Sequence, residues 1–215
     1  MTVVKICGIR TPDIARAALD AGADMLGLVF AASRRQVTPA AAQAISEVVR
    51  CHPRGRSVRL AGVFVDHAVA DMRELARRCD LDIIQLSGRE SLATAGDLAP
   101  LAIMRAVRLA GDADEAEWLG IDDHTARLLV DAHVPGSYGG AGIVADWPAA
   151  AQLARRRGIV LAGGLSPGNV ADAIRAVRPW GVDVSSGVEH DGVKSATRIA
   201  AFVRAVRDAG VTPAG

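Results

Sequence analysis

Three observations predict a single closed (β/α)8 barrel, an α/β fold of the TIM type. Short β-rich runs alternate with alanine-rich amphipathic stretches, eight of each, along the 215 residues. The run Met25–Phe30 is apolar without a break, as a strand covered on both faces must be. No early Gly-x-Gly-x-x-Gly turn is present, which disfavours the open doubly wound sheet, the other arrangement that right-handed crossovers allow.

Taken in order, strands are predicted at Val3–Cys7, Met25–Phe30, Val58–Val65, Asp82–Leu86, Ala102–Val107, Arg127–Asp131, Ile159–Ala162 and Gly181–Ser185. The helices between them are predicted at Pro12–Ala21, Pro39–Arg50, Val69–Cys79, Arg89–Leu98, Asp114–Leu119, Trp147–Arg157, Pro167–Val177 and Ser195–Ala209. The first helix starts with Thr11-Pro12-Asp13, a capping residue followed by proline at the first helical position. Its apolar residues Ile14, Ala17, Ala18 and Ala21 share one face. Ser166-Pro167 predicts the start of the seventh helix by the same rule. The arginine run 155–157 reads as a solvated helix end. No linker or composition break divides the chain, so residues 1–215 are expected to form one catalytic domain.

Composition narrows the function. Half the residues are apolar and the formal net charge is +1, which predicts a sizeable core and gives no sign of a nucleic-acid or membrane partner. No apolar stretch approaches the ~18 residues of a membrane span. Cys7, Cys51 and Cys79 form no CxxC pair, so neither a zinc knuckle nor a disulfide framework is suggested, and a cytoplasmic location is expected. The five histidines are dispersed and no nicotinamide or pyridoxal signature appears, so neither metal nor cofactor is expected.

Barrel enzymes carry their chemistry just beyond the C-terminal ends of the strands. The first run ends in Cys7, followed at once by Gly8, and a thiolate there can serve as base or nucleophile. Lys5, two residues earlier, shares its face of the strand. Arg34 and Arg35 follow the second strand, where an arginine can hold a carboxylate through a bidentate contact. The sixth run ends in Asp131, and partial desolvation there raises a carboxyl toward the range useful for proton donation. The glycine-rich segment 138–142, with Gly142, comes next. Gly163-Gly164 and Ser185-Ser186-Gly187 close the seventh and eighth runs, the place where barrels bind phosphate through backbone N–H groups. These groups suit cofactor-free acid/base chemistry on a phosphorylated small molecule.

The same residues resemble the phosphoribosylanthranilate isomerase family. The motifs carrying the resemblance include Lys5-Ile6-Cys7-Gly8-Ile9, Ser33-Arg34-Arg35, Gln85-Leu86, Asp131, Tyr138-Gly139-Gly140, Asp146-Trp147, Leu161-Ala162-Gly163-Gly164-Leu165-Ser166-Pro167 and Val182-Asp183-Val184-Ser185-Ser186-Gly187-Val188-Glu189. The resemblance implies an Amadori rearrangement of N-(5-phosphoribosyl)anthranilate in tryptophan biosynthesis, with Asp131 as general acid and Cys7 as general base. It further implies Arg35 at the anthranilate carboxylate. Gly142, Gly163, Gly164, Ser185, Ser186 and Gly187 fall at the phosphate, with Lys5 and Asp183 in support. Ser87 stands where the family has histidine, Arg105 where lysine is common, and Ala141, Ala145 and Gly168 are further departures. With no long exposed apolar patch legible, a monomer is expected rather than a dimer.

Overall fold

The computed structural model describes residues 1–122, 125–132 and 145–210. Eight parallel strands follow one another around a ring: β1 (Val3–Cys7), β2 (Met25–Val29), β3 (Arg59–Phe64), β4 (Ile83–Leu86), β5 (Ala102–Val107), β6 (Arg127–Val130), β7 (Ile159–Leu161) and β8 (Gly181–Val184). β8 pairs back onto β1, with Lys5 opposite Asp183. The helices are α1 (Pro12–Ala21), α2 (Pro39–Cys51), α3 (Val69–Arg78), α4 (Leu92–Asp97), α5 (Ala113–Gly120), α6 (Trp147–Ala154), α7 (Val170–Val177) and α8 (Ala196–Ala209). The predicted barrel is the observed one. Among the described residues, no helix is long and apolar enough to cross a membrane.

Strand periodicity divides the core in two. Met25, Ala61, Ile83, Met104, Leu129 and Val160 cluster together in one layer of the core. Their neighbours Leu26, Leu60, Ile84, Leu128 and Val182 join Ile45, Val49, Phe202 and Val203 of the helices in the other. Each such large aliphatic side chain contributes about 1.5–3 kcal/mol on leaving water. Hydroxyl caps start several helices as the sequence suggests: Thr11 accepts from the Ile14 N–H, Thr38 from Ala41 and Ser195 from Arg198.

Three expectations need correction. The seventh helix begins at Val170 rather than Pro167. Asn169 organises the preceding turn, accepting from the Ser166 N–H at 2.8 Å and donating to the Gly164 carbonyl at 2.9 Å. The fourth helix begins at Leu92 rather than Arg89, because the Glu90 carboxylate is committed elsewhere. It accepts from the N–H groups of Asp66 and Gly88 and from Arg105. In the run 155–157, Arg155 and Arg156 are exposed as expected, but Arg157 is not a solvated end. The Arg157 guanidinium donates to the carbonyls of Ile121, Asp122 and Ala126, at 2.7, 3.2 and 2.8 Å, fastening the chain that leads into β6.

Between β8 and α8 lies a feature the pattern reading omits. A short 3-10 helix, Ser186–Val188, leads into an antiparallel hairpin of β9 (Glu189–His190) and β10 (Val193–Lys194). The turn is Asp191-Gly192, both at positive φ (49° and 77°), as a two-residue hairpin demands.

Candidate active site

The strands position the site by where they stop. Asp131, Ala162 and Ser185 each fall one residue beyond their strand, and Cys7 is the last residue of its own. A cavity of about 550 Å³ opens there, and its wall contains Cys7, Arg35, Gln85, Ser87, Arg108, Asp131, Asp183 and Ser185. A second cavity, of about 670 Å³, is lined by Val3, Met25, Arg127 and Trp180, at the start of the strands. None of the described candidate residues lines it.

Cys7 sits above a buried ion pair. The Lys5 side chain is fully buried and its Nζ donates to Asp183 Oδ1 at 2.9 Å. Burial works against the Lys5 ammonium, but attraction from Asp183 and Cys7 outweighs it and holds its pKa above the ordinary lysine value. For Cys7 the balance runs the other way. Burial pushes the thiol above its ordinary value and Asp183 adds to that, while Lys5 and Lys194 favour the thiolate. The neighbouring strand makes room for this arrangement at Gly27. A Cβ there would lie 2.8 Å from Cys7 Sγ, 3.1 Å from Cys7 Cα and 3.2 Å from Lys5 Nζ.

Asp131 is the carboxylic acid of the wall. Burial raises its pKa above the ordinary carboxylate value, and nearby Asp183 adds to the shift. A hydrogen bond from the Ala132 N–H, at 2.8 Å to Oδ1, works against it, as do the charges of Arg108 and Lys5. The cavity thus holds a thiol and a carboxylic acid, each shifted toward its protonated form, with a buried ammonium beneath the thiol. Such a set can exchange protons with a bound molecule at two points.

Arg35 lines the same cavity and is held by a carboxylate that sequence reasoning passed over as part of a motif. Glu189 Oε1 accepts from Arg35 Nε at 2.7 Å, and Oε2 accepts from Arg35 Nη2 at 3.0 Å. Lys194 donates to Glu189 Oε1 at 2.7 Å and to the carbonyl and hydroxyl oxygens of Ser185, at 2.9 and 3.2 Å. Burial alone would raise the Glu189 carboxyl, but its bonds from Arg35 and Lys194 hold it at about 2. Burial lowers the Lys194 pKa below its ordinary value. The legible signal for this cluster was the Asp191-Gly192 turn, which sets Glu189 opposite Lys194.

The candidate phosphate residues divide. Ser185 is in the cavity wall, whereas Gly163, Gly164, Ser186 and Gly187 are not among its lining residues. Gly163 and Gly164 both adopt positive φ, 80° and 61°, which a side chain would strain. Gly187 packs so closely on the Leu165 carbonyl that a Cβ would collide with it, so the loops after β7 and β8 lie against each other. Gly142 and the rest of the glycine-rich segment, Ala141 included, lie outside the described residues.

Two departures from the family pattern have structural partners. Gln85 Nε2 donates to Ser87 Oγ at 3.1 Å inside the wall. Arg105 does not line the cavity. It is buried in an ion pair with Glu90 (2.6 Å), 5.4 Å above the Trp118 ring, and the Trp118 indole donates to the Glu90 carbonyl.

A ring of eight parallel strands with a thiol, a carboxylic acid and arginine and lysine side chains converging at one mouth defines a (β/α)8-barrel enzyme of the acid–base kind. Residues 4–205 match the family model described as N-(5'phosphoribosyl)anthranilate (PRA) isomerase. A curated relative of that name from Roseiflexus sp. (strain RS-1) is 59% identical over 211 residues, covering 97% of this chain and 99% of its own. The crystal structure of phosphoribosyl anthranilate isomerase from Thermotoga maritima superposes with a TM-score of 0.84 at 33% identity, covering 97% of this chain and all of that one. A further structure (TM-score 0.81, 32% identity, 97% and 100% covered) is of a phosphoribosyl anthranilate isomerase in complex with reduced 1-(o-carboxyphenylamino)-1-deoxyribulose 5-phosphate. The chain belongs to the N-(5'-phosphoribosyl)anthranilate isomerase family, and is thus an aldose–ketose isomerase of tryptophan biosynthesis.

Proposed function

We propose that the cavity binds N-(5-phosphoribosyl)anthranilate and that Asp131 and Cys7 share the proton transfers converting it to 1-(2-carboxyphenylamino)-1-deoxyribulose 5-phosphate. Asp131 protonates the ring oxygen of the ribose, which opens to a Schiff base. Cys7, as thiolate, removes the C2′ proton to give an enolamine, which tautomerises to the ketone. Lys5 favours the thiolate and Asp183 holds Lys5 in place. Arg35 takes the anthranilate carboxylate. The backbone at Gly163, Gly164, Ser186 and Gly187, with Ser185 and Gly142, takes the phosphate. The single observation that carries this reading is the presence of Cys7, Arg35 and Asp131 in the wall of one cavity at the ends of the strands.

The reading calls on no cofactor or metal, and treats residues 1–215 as one cytoplasmic, monomeric catalytic unit. In support of the monomer, the large hydrophobics exposed among the described residues are Met1, Trp180 and Val193, which form no continuous run. Sedimentation at micromolar concentration checks it, and a dimer would overturn that part. For the chemistry, Cys7→Ala and Asp131→Asn should each lower kcat by at least about a hundredfold, the scale of losing one acid or base, with circular dichroism unchanged. Wild-type rates in either variant would reject the role given to that residue.

A further inference from the structure

Glu189 stands at the centre of more charge than its own hairpin requires. Its side chain is 5% exposed, and its two oxygens receive four hydrogen bonds from three cations, with Arg34 Nη2 at 2.7 Å completing the set. These cations come from two places in the chain, Arg34 and Arg35 beyond β2 and Lys194 in β10. One carboxylate against three cations leaves a surplus of positive charge beside the cavity. Such a surplus suits a doubly anionic substrate.

The way Arg35 is held matters as much as the charge. A guanidinium has five N–H donors in a planar fork. Glu189 takes the Nε side edge, using Nε–H and one N–H of Nη2. Among the described residues Nη1 has no hydrogen-bond partner, which leaves that end for an end-on, bidentate partner. The aliphatic part of Arg35 is fixed too: it lies so close to Gly8 that a Cβ there would be 2.7 Å from Arg35 Cδ. Gripped on one edge and packed on its stem, the fork keeps one orientation before any ligand arrives. Lys194, bridging Glu189 to the carbonyl and hydroxyl of Ser185, carries the same restraint to the end of β8.

We propose that Glu189 is a positioning residue for recognition of the substrate's aromatic carboxylate, holding Arg35 by its side edge so that the end of the fork faces the cavity. The inference rests on the reading that Arg35 binds that carboxylate. A mere hairpin staple would affect every ligand alike, whereas a positioning residue for the carboxylate discriminates.

The test measures kcat, KM and ligand affinity in the full chain. The two ligands are reduced 1-(o-carboxyphenylamino)-1-deoxyribulose 5-phosphate and its counterpart lacking the ring carboxylate. Glu189→Gln should raise KM roughly tenfold, with kcat down less than about threefold, the scale expected when a bidentate contact loses its orientation. It should weaken the carboxylated ligand by the same factor and leave the other within about twofold. Glu189→Asp, which keeps the charge on a shorter arm, should fall between wild type and Glu189→Gln, and is read alone if Glu189→Gln does not fold. Equal weakening of both ligands, or of neither, overturns the inference. Arg35→Ala separates the two levels. If it abolishes discrimination between the ligands while the Glu189 variants keep it, the inference alone falls. If it leaves discrimination intact, the reading of Arg35 falls and takes the inference with it.

Discussion

The substitution Gly27→Ala tests the geometry around Cys7 without removing any ionisable group. The added Cβ would sit 2.8 Å from the sulfur and 3.1 Å from Cys7 Cα, with Lys5 Nζ at 3.2 Å. Ordinary contacts between such atoms are about 3.5–4.0 Å, so the sulfur must retreat by roughly 1 Å. β1 and β2 are paired at this level, with Cys7 opposite Gly27, so the backbone has little room to separate. Overpacking of this size costs about 1–3 kcal/mol, or a Tm drop of roughly 2–12 °C for a domain of this length. Displacing a reacting group by about 1 Å costs on the order of a hundredfold in rate. We expect kcat to fall by that factor with KM within about threefold, since the three atoms nearest the new methyl belong to Cys7 and Lys5. The assay is initial-rate kinetics beside thermal unfolding, with Gly181→Ala as control. In the control the added Cβ meets Val3, at 3.1 Å from its carbonyl oxygen, two positions before Lys5 on β1. It should lower Tm while sparing kcat. A Gly27→Ala variant with wild-type kcat would refute the placement of Cys7 at the reacting centre.

Lys5→Met leaves Asp183 buried without its cation and should cost about 3–5 kcal/mol in urea unfolding. It should also move alkylation of Cys7 to higher pH, measured with Cys51 and Cys79 replaced; an unchanged alkylation profile would sever Lys5 from the thiol. The pH dependence of kcat/KM should be bell-shaped, rising through an Asp131 pKa above 3.8 and falling through a Cys7 pKa above 9.0, because the pair must hold one proton. In Asp131→Asn the residual rate needs only the thiolate and should rise on the alkaline side, so a retained alkaline fall would contradict the assignment. Glu189, held at about 2 against an ordinary 4.5, stabilises the fold fully above pH 4.5 and loses that contribution as pH falls toward 2. The gap in urea midpoint between wild type and Glu189→Gln should therefore close across that window, and a constant gap would show that the ion cluster contributes nothing to stability.

The barrel was legible because its strands are short apolar runs and its helices carry their own caps, both of which are local properties. The shared location of Cys7 and Asp131 was legible because each ends a run, and strand ends on a barrel face one way. What escaped was set by distant partners. Pro167 suggests a helix start by its own conformational preference, yet Asn169 and the Gly164 carbonyl build a turn there instead. Arg157 reads as a surface charge until the carbonyls of residues 121, 122 and 126 are seen around it. Glu189 and Lys194 sit in a hairpin whose Asp-Gly turn was readable, but their link to Arg35 spans more than 150 positions in the chain. No periodicity encodes such a link.

The ion pair of Lys5 with Asp183 joins residues 178 positions apart, across the seam where the ring closes. During synthesis at about 5–20 residues per second, Lys5 emerges roughly 9–36 s before the carboxylate that pairs with it. Through that interval a nascent chain carries a lysine destined for complete burial with nothing to neutralise it, and its strand has only one neighbour to pair with. The ion pair beneath the thiol can therefore form only after the eighth strand has been made and pairs with the first.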